Sequence, residues 1–362
     1  MTSWKTYRLG DIATMKYGKL PPKNNSGRYP IWSGYRNVGL TDTYNCGKGT
    51  IIVVARGVGG TGDVKIAKED CFLTNLSIAV NLDVNICNPQ FFYYKFLLSN
   101  LKYLDSGSAQ SQITIDDLKR LQLSLPSLEE QRRIAGILGT IDDKIENNRR
   151  INTNLELQAQ ALFDKIFFDD NDVERNPLSD YADINPTRTL RQGVVARYIE
   201  MANLPTRGSF PSDWSYKSYG GGCKFANGDT IMARITPCLE NGKTAYIDFL
   251  EEQEVAFGST EYIVISAKNG YCPAVFYCLA RNKEFVDYAV GHMNGSSGRQ
   301  RVSGADIATF PMPHITLEES NKFAEIAMPI MDVIRNNSLE NRHLTTLRDT
   351  LLPKLMNGEI KL

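Results

Sequence analysis

The sequence contains an internal repeat that covers two long amphipathic segments. Residues 107–130 align without a gap with residues 296–319, at an offset of 189 residues. The same offset continues downstream, where Ile141 is matched with Ile330. Similarity at a long fixed period is typical of a fold in which one structural plan is used twice.

The parts upstream of these segments are repeated more weakly, and the offset changes. Residues 49–56 (GTIIVVAR) resemble residues 228–234 (GDTIMAR), which matches Arg56 with Arg234. The chain is therefore predicted to be α+β, with two mixed α/β domains separated by a long antiparallel two-helix coiled coil. The predicted boundaries are 1–126 for the first globular domain, 127–170 for the first helix, 176–315 for the second domain and 316–362 for the second helix.

Both long segments begin with a capping box, Ser127–Glu130 and Thr316–Glu319. In such a box a hydroxyl group accepts from a free backbone N–H, and the Glu side chain accepts from the capping residue in return. Behind each box an apolar seam with seven-residue spacing predicts a coiled coil. The two seams are Ile134, Leu138, Ile141, Ile145, Asn148, Asn152, Leu155, Ala159, Leu162 and Ile166, and Phe323, Ala327, Ile330, Ile334, Asn337, Asn341, Leu344, Arg348, Leu351 and Leu355.

Two asparagines lie at the centre of each seam. If the helices pair antiparallel, Asn148 faces Asn341 and Asn152 faces Asn337. Polar residues in a seam cost stability but select register and orientation. The alternative is that these asparagines lie on a solvated face.

The second helix contains Pro329 and Pro353, which are expected to kink or interrupt it. Apolar residues outside the seams could form a surface for a partner, although a plain intramolecular coiled coil is also consistent with the pattern. These residues are Ile137, Leu157, Phe163, Phe167, Phe168, Met331, Leu347 and Leu352.

The formal net charge is zero, with 41 Lys and Arg against 41 Asp and Glu. The charge is unevenly distributed, because residues 1–126 carry 15 basic and 9 acidic side chains. No apolar stretch is long enough to cross a membrane and no signal peptide is evident, so a cytoplasmic location is expected. The 7 cysteines form no Cys-x-x-Cys pair, which favours buried reduced thiols over disulfides or a zinc ribbon.

Loops that combine basic, amide, hydroxyl and aromatic side chains are candidates for contact with DNA. Arg and Lys pair with guanine or phosphate, and Asn and Gln pair with adenine. A solvated surface is the alternative for each residue, and Arg56 and Arg234 could instead be structural ion-pair partners. The candidates in the first half are Lys19, Lys23, Asn24, Arg28, Tyr29, Trp32, Tyr35, Arg36, Asn37, Arg56, Gln110 and Gln112. Those in the second half are Arg188, Arg191, Asn203, Arg207, Arg234, Ser297, Arg299, Gln300 and Arg301.

Three stretches of the sequence resemble the specificity subunits of type I restriction–modification enzymes. They are the opening Trp4–Ile12, the block Leu118–Ile145 with its Pro-x-Leu-x-Glu-Gln helix entry, and the ending Leu351–Ile360. The second copy departs from the family pattern at Ser320, where Gln is expected, and at His314–Ile315, where Pro is usual.

The resemblance implies two target-recognition domains, each of which recognises half of a bipartite double-stranded DNA site in the major groove. It implies that the paired helices set the spacing of the half-sites and bind two methylation subunits. Two restriction subunits complete the complex, a DNA adenine methyltransferase and type I site-specific deoxyribonuclease. This chain would be non-catalytic and hold no cofactor, while S-adenosylmethionine, ATP and Mg²⁺ belong to the partner subunits.

Three other functions are alternatives for a chain of this pattern. A methyltransferase would need an Asn/Asp-Pro-Pro-aromatic motif, which the nearest string, Asn185–Thr187, lacks. A coiled-coil adaptor with no role in DNA binding would show no salt-dependent affinity for a bipartite duplex. A specificity module of another phage-defence methylation system would differ in its partners alone.

Overall fold

The computed structural model describes residues 4–22, 26–34, 36–57, 60–97, 99–105, 111–169, 174–268, 270–296, 298–360 and 362. The chain forms two compact units, which are Met1–Lys144 with Leu344–Leu362, and Ile145–His343. The division between the units falls inside both long helices. The domain boundaries predicted from the sequence stay a prediction. Within the described ranges, no helix combines the length and apolar character needed to span a bilayer.

Within its described residues, the first unit contains two small sheets and a separate strand pair. Its strands are β1 (Lys5–Arg8), β2 (Ala13–Tyr17), β3 (Tyr29–Ser33), β4 (Arg36–Thr41), β5 (Ile51–Val54), β6 (Val64–Ile66), β7 (Phe72–Leu73), β8 (Ser77–Leu82) and β9 (Gln122–Leu125). Its short helices are α1 (Leu9–Ile12), α2 (Pro89–Leu97) and α3 (Ile115–Arg120). The sheets have the strand orders β2-β8-β5-β6 and β4-β3-β7, and β1 pairs with β9. Every residue of β5 is buried, as expected for the central strand that its β-branched sequence predicts.

The first long helix, α4 (Leu128–Phe167), leads into the second unit. The strands of that unit are β10 (Arg175–Pro177), β11 (Ala182–Ile184), β12 (Val195–Ile199), β13 (Ser215–Ser218), β14 (Lys224–Phe225), β15 (Asp229–Ala233), β16 (Thr244–Tyr246), β17 (Ala256–Gly258), β18 (Tyr262–Ala267) and β19 (Pro311–Pro313). Its short helices are α5 (Pro273–Arg281), α6 (Lys283–Gly291) and α7 (Gly304–Ala308), and the second long helix is α8 (Leu317–Met356). The sheet orders are β11-β18-β15-β16 and β13-β12-β17-β14, and β10 pairs with β19.

The two units follow one topological plan. In each, a four-stranded sheet has its second strand in chain order, β5 or β15, at an inner position and paired antiparallel on both sides. In each, the second sheet contains one parallel pair, β3 with β7 or β12 with β17. The prediction of an α+β fold with two mixed units and an antiparallel pair of long helices is confirmed.

Each long helix is a single element of 40 residues. The expectation that Pro329 or Pro353 interrupts the second helix is wrong, because α8 continues through both positions. A proline inside a helix removes one backbone hydrogen bond. Burial of Ala327 and Met331 in the core of the second unit holds the helix together on either side of Pro329.

The asparagines at the centre of the seams meet as the antiparallel register predicts. Asn148 donates to Asn341 Oδ1 at 3.0 Å, and Asn337 donates to Asn152 Oδ1 at 2.8 Å. Asn148 is buried, so its hydrogen bonds offset the cost of removing an amide from water. That these pairs select the register stays a prediction.

The apolar surface that the helices leave for a partner is smaller than the sequence suggests. Phe163, Phe167 and Met331 are buried in the core of the second unit, and Leu352 is buried in the core of the first. A straight helix drifts relative to a strict seven-residue repeat, so the buried stripe moves to neighbouring positions. Ile137, Leu157 and Leu347 stay exposed, and Phe168 is half-buried.

The start of each long helix anchors a short helix of its own unit. The backbone N–H of Asn88, just before α2, donates to Gln131 Oε1 at 2.9 Å. The backbone N–H of Cys272, just before α5, donates to Ser320 Oγ at 2.8 Å. Gln131 and Ser320 occupy matching positions of the repeat and are both buried. The departure at Ser320 therefore replaces one acceptor by another.

The two capping boxes differ in completeness. Thr316 and Glu319 bond in both directions, because each side chain accepts from the other residue's backbone N–H. At the first helix the Glu130 N–H donates to Ser127 Oγ at 3.2 Å. The second helix thus has a full box despite its altered sequence.

Replacing Asn148 by Leu is expected to lower the free energy of unfolding by about 1–3 kcal/mol, because the half-buried Asn341 side chain loses the hydrogen bond from the buried Asn148. The double variant Asn148→Leu/Asn341→Leu should recover part of that loss, with a coupling of about 0.5 kcal/mol or more. Urea unfolding of the full chain measures the loss and the coupling. Asn147→Leu is the control, because Asn147 is the exposed neighbour of Asn148. Strictly additive losses would show that the two asparagines are not coupled.

A buried carboxyl group makes the stability of the second unit depend on pH. Asp248 follows β16, and its Oδ1 is buried without a hydrogen-bond partner. Burial raises the pKa of Asp248 to about 7, while Arg335 on α8 lowers it and Asp332 raises it. An unfolded Asp has a pKa of about 3.9. Between the two values the folded chain holds the extra proton, so stability falls as the pH rises.

Replacing Asp248 by Asn should therefore flatten the pH profile of stability between about pH 4 and about pH 7 and stabilise the chain above that range. Urea unfolding at several pH values measures the change, with Glu252→Gln as the control at a nearby exposed carboxylate. A profile that keeps its wild-type slope in the Asp248 variant would contradict the assignment.

Candidate nucleic-acid interface

Six of the predicted contact residues of the first unit lie on or beside its second sheet. Lys19, Arg28, Arg36 and Asn37 are exposed, while Tyr29 and Trp32 are half-buried within β3. The Arg28 guanidinium lies 5.7 Å from the centre of the Tyr29 ring. Predictions at three further positions fall outside the described residues: Lys23, Asn24 and Tyr35.

Two isolated bridges reveal the true correspondence between the repeats. Arg56 bridges Gln112 in the first unit, and Ile235 bridges Arg301 in the second. In addition, Ile113 N–H donates to the Ala55 oxygen and Val302 N–H donates to the Arg234 oxygen, both at 3.0 Å.

These bonds correct the alignment of the two arginines. Arg234 occupies the position of Ala55, and Arg56 occupies that of Ile235. The match of Arg56 with Arg234 is therefore wrong by one residue, because the gap between the two copies was placed inside the strand. A shift of one residue in extended backbone turns a side chain to the opposite face.

Arg188 is held inside the second unit by a buried carboxylate. It donates to Asp229 Oδ1 at 2.6 Å and to Ser266 Oγ at 3.2 Å. Burial raises the pKa of Asp229, while the backbone N–H of Ala226 and the Arg188 charge act in the opposite direction. Arg188 therefore neutralises a buried charge, which is a structural task.

Glu261 binds two of the candidate arginines. Arg301 Nε and Nη2 donate to its carboxylate at 2.8–3.0 Å, and Arg234 Nε lies 3.4 Å from its Oε2. These hydrogen bonds, first those from Arg301, hold the pKa of Glu261 below its usual range. Arg234 is thus an ion-pair partner, the structural alternative considered for it from the sequence.

Other candidates support loops through polar contacts. Asn203 Nδ2 donates to the Asp213 oxygen at 3.0 Å. The Gln300 backbone oxygen accepts from Thr236 N–H at 3.1 Å, and Gln112 N–H donates to Asp105 Oδ1 at 2.8 Å. Gln110 and Ser297 lie outside the described residues. For all these positions, contact with nucleic acid stays a prediction.

A further group of candidate cations is exposed, and its side chains have no hydrogen-bond, ion-pair or ring partner within the described parts of the chain. Such side chains are available to phosphate or base edges at no cost in internal contacts. The group consists of Lys19, Arg56, Arg191, Arg207 and Arg299. The sequence alone gave no means to separate it from Arg188, Arg234 and Arg301, since the carboxylates that bind those three are distant in the sequence.

The described residues contain no group of three or more His, Cys, Asp or Glu side chains arranged to hold a metal ion. All seven cysteines are free thiols. Desolvation raises the pKa of Cys87, Cys223 and Cys272 above the usual value for a thiol. Five of the seven are the small buried side chains that the sequence predicts, whereas Cys223 and Cys238 are half-buried.

Comparison with known proteins identifies chains of similar sequence and fold. The family described as type I restriction modification DNA specificity domain matches residues 1–157. A putative type I restriction enzyme MjaX specificity subunit from Methanocaldococcus jannaschii is 38% identical over 303 residues, which cover 75% of this chain and 68% of the relative. The type I restriction enzyme MjaIX specificity subunit of the same organism is 26% identical over 407 residues, with coverage of 99% and 89%.

A solved structure extends the similarity to the fold. The S subunit of a type I restriction–modification system from M. genitalium has a TM-score of 0.68 at 20% sequence identity, with 98% of this chain and 96% of that chain covered. At this level of identity the match shows a shared fold.

Proposed function

Because the chain belongs to the family of type I restriction enzyme specificity subunits, we propose that it is the non-catalytic subunit that selects the DNA sequence in a type I restriction–modification complex. Each globular part recognises one half of a bipartite double-stranded site. The long helices set the spacing between the half-sites.

One observation carries the proposal: the two units share a topology but present different side chains, while the helices repeat closely. The first unit offers Lys19 and Arg56 as cations without internal partners, and the second offers Arg191, Arg207 and Arg299. Two different surfaces on one plan suit two different half-sites. Two matching helices suit two copies of one partner.

The partners follow from the same reasoning. The matching helices would bind two methylation subunits, and the exposed Ile137 on α4 and Ile326 on α8 occupy matching positions of the repeat. Two restriction subunits would complete the assembly. S-adenosylmethionine, ATP and Mg²⁺ would be bound by those partners, and this chain would supply DNA recognition.

Methylome sequencing of cells with and without the gene for this chain tests the proposal. A split DNA motif should be methylated in the first case and unmethylated in the second. The assembled complex should also bind a duplex that carries this motif, with an affinity that falls as the salt concentration rises. An unchanged methylome, together with no binding to duplex DNA, would favour an adaptor without a role in DNA recognition.

We expect three substitutions to make binding less dependent on salt: Arg191→Ala, Arg207→Ala and Arg299→Ala. Each should reduce the magnitude of the slope of log K against log salt by about 1, because one phosphate contact is lost. Fluorescence anisotropy with a short labelled duplex over a salt series measures the slope. Arg150→Ala removes an exposed arginine from α4 and serves as the control. Slopes equal to wild type in all three variants would exclude these residues from phosphate contact.

A further inference from the structure

Each unit leaves the outer strand of its second sheet exposed. On β4, Arg36, Asn37, Val38 and Leu40 are all exposed, and Val38 keeps 48% of its surface. On β13 every residue is exposed, and Tyr216 keeps 63%. The paired strand β12 adds Val195, which is 66% exposed. Both units thus present apolar side chains on a sheet edge.

The two exposed strands occupy the same place in the topology. β4 pairs antiparallel with β3, which lies parallel to β7. β13 pairs antiparallel with β12, which lies parallel to β17. The residues differ completely, with Arg-Asn-Val-Gly-Leu-Thr on β4 and Ser-Tyr-Lys-Ser on β13. The two units thus share the place of this strand in the sheet but differ in its side chains.

An exposed sheet edge with large apolar side chains is a liability, because it can pair with another chain. A contiguous exposed apolar patch commonly marks a binding surface. Its presence in both units indicates a role that both units share. Because the side chains differ, that role must tolerate or require different partner surfaces.

Cationic and polar groups surround both strands. Arg28 and Lys65 lie against the rings of Tyr29 and Trp32 on β3. Lys217 is part of β13, where it pairs with Glu200 at 2.6 Å. At the same end of this strand pair the Val194 N–H donates to the Arg191 oxygen, which places Arg191 in the adjoining turn. This mixture of cations with apolar and hydroxyl groups complements the phosphates and base edges of duplex DNA.

We propose that the strand pairs β3–β4 and β12–β13 are the elements that enter the major groove and contact bases. The inference rests on the proposed function and assigns it to particular strands. The major groove is about 12 Å wide and admits a two-stranded ribbon. Val38, Val195 and the Tyr216 ring supply apolar contact of the kind that distinguishes a thymine methyl group, and Asn37 supplies an amide.

Placing a negative charge on these strands tests the proposal. Val38→Glu and Val195→Glu each add a carboxylate to a side chain that is already exposed, so the fold should accept it. Val84→Glu is the matched control, because Val84 is 57% exposed on the turn after β8. The assembled complex is titrated with a pool of short duplexes of random sequence, and the bound molecules are sequenced.

Val38→Glu and Val195→Glu should each weaken binding by about tenfold or more through repulsion from the DNA, and each should erase the selectivity of one half of the motif only. Val84→Glu should bind and select as wild type. If all three variants match wild type, the strand pairs do not enter the groove. If the wild-type complex itself selects no motif, the proposed function fails, and the two failures are thereby distinguished.

Discussion

Truncating Phe163 to Ala is expected to lower the free energy of unfolding by about 3–5 kcal/mol. Phe163 lies on α4 and is fully buried in the core of the second unit. Its ring centre lies 5.4 Å from that of Phe167 and 6.1 Å from that of Phe323, which approaches edge-on from α8. The truncation therefore removes apolar burial and aromatic contacts at once and leaves a cavity between the two helices.

Urea unfolding of the full chain measures this loss, read as the shift in midpoint at constant slope. Leu157→Ala on the same helix is the control, because Leu157 is 64% exposed. It should change stability by less than about 0.5 kcal/mol. Equal effects of the two truncations would mean that the helix contributes little to the core at Phe163.

Replacing Arg281 by Ala is expected to destabilise the second unit by about 3–5 kcal/mol. The guanidinium at the end of α5 donates to backbone oxygens on two loops and a strand, which belong to Pro205, Thr206, Gly208, Gly242 and Thr244. Its charge also lies near Glu156 of α4, where it lowers a carboxyl pKa that burial raises. Without Arg281, a set of mostly part-buried carbonyl groups loses its donor and Glu156 loses a stabilising charge.

Arg281→Lys should recover only part of the loss, because an ammonium group cannot reproduce the planar fork of donors. Lys283→Ala, two residues along at an exposed i,i+4 pair with Asp287, is the control and should have little effect. Thermal and urea unfolding of the three variants give the ranking. An Arg281→Lys variant as stable as wild type would show that charge alone matters at this position.

The helical part of the fold could be predicted from sequence because its information is local. The seven-residue spacing gave both long helices, and the asparagines gave the pairs Asn148–Asn341 and Asn152–Asn337. The same rule placed the seam at Leu162 and Ile166, whereas Phe163 and Phe167 are the buried positions. That difference arises because α4 also packs against its own unit, which the periodicity of one helix does not encode.

For the candidate site, the sequence predicted which residue types are present but not which of them are bound inside the protein. Nothing near Arg188 in sequence indicates that it binds Asp229, and nothing near Arg301 indicates Glu261. The strand register that moves Arg234 to the position of Ala55 depends on hydrogen bonds to a distant loop. Tyr216 and Lys217 were missed because a short exposed edge strand carries no alternating pattern.

The different acceptors at Gln131 and Ser320 have a consequence for hybrid chains. A globular segment transplanted from one repeat onto the helix of the other would bring an amide, that of Asn88 or Cys272, to a side chain of the wrong length. Ser320 is too short to replace Gln131, and Gln131 would overfill the space of Ser320. A viable crossover point must therefore lie after residue 131 or 320, so that each graft travels with its own acceptor.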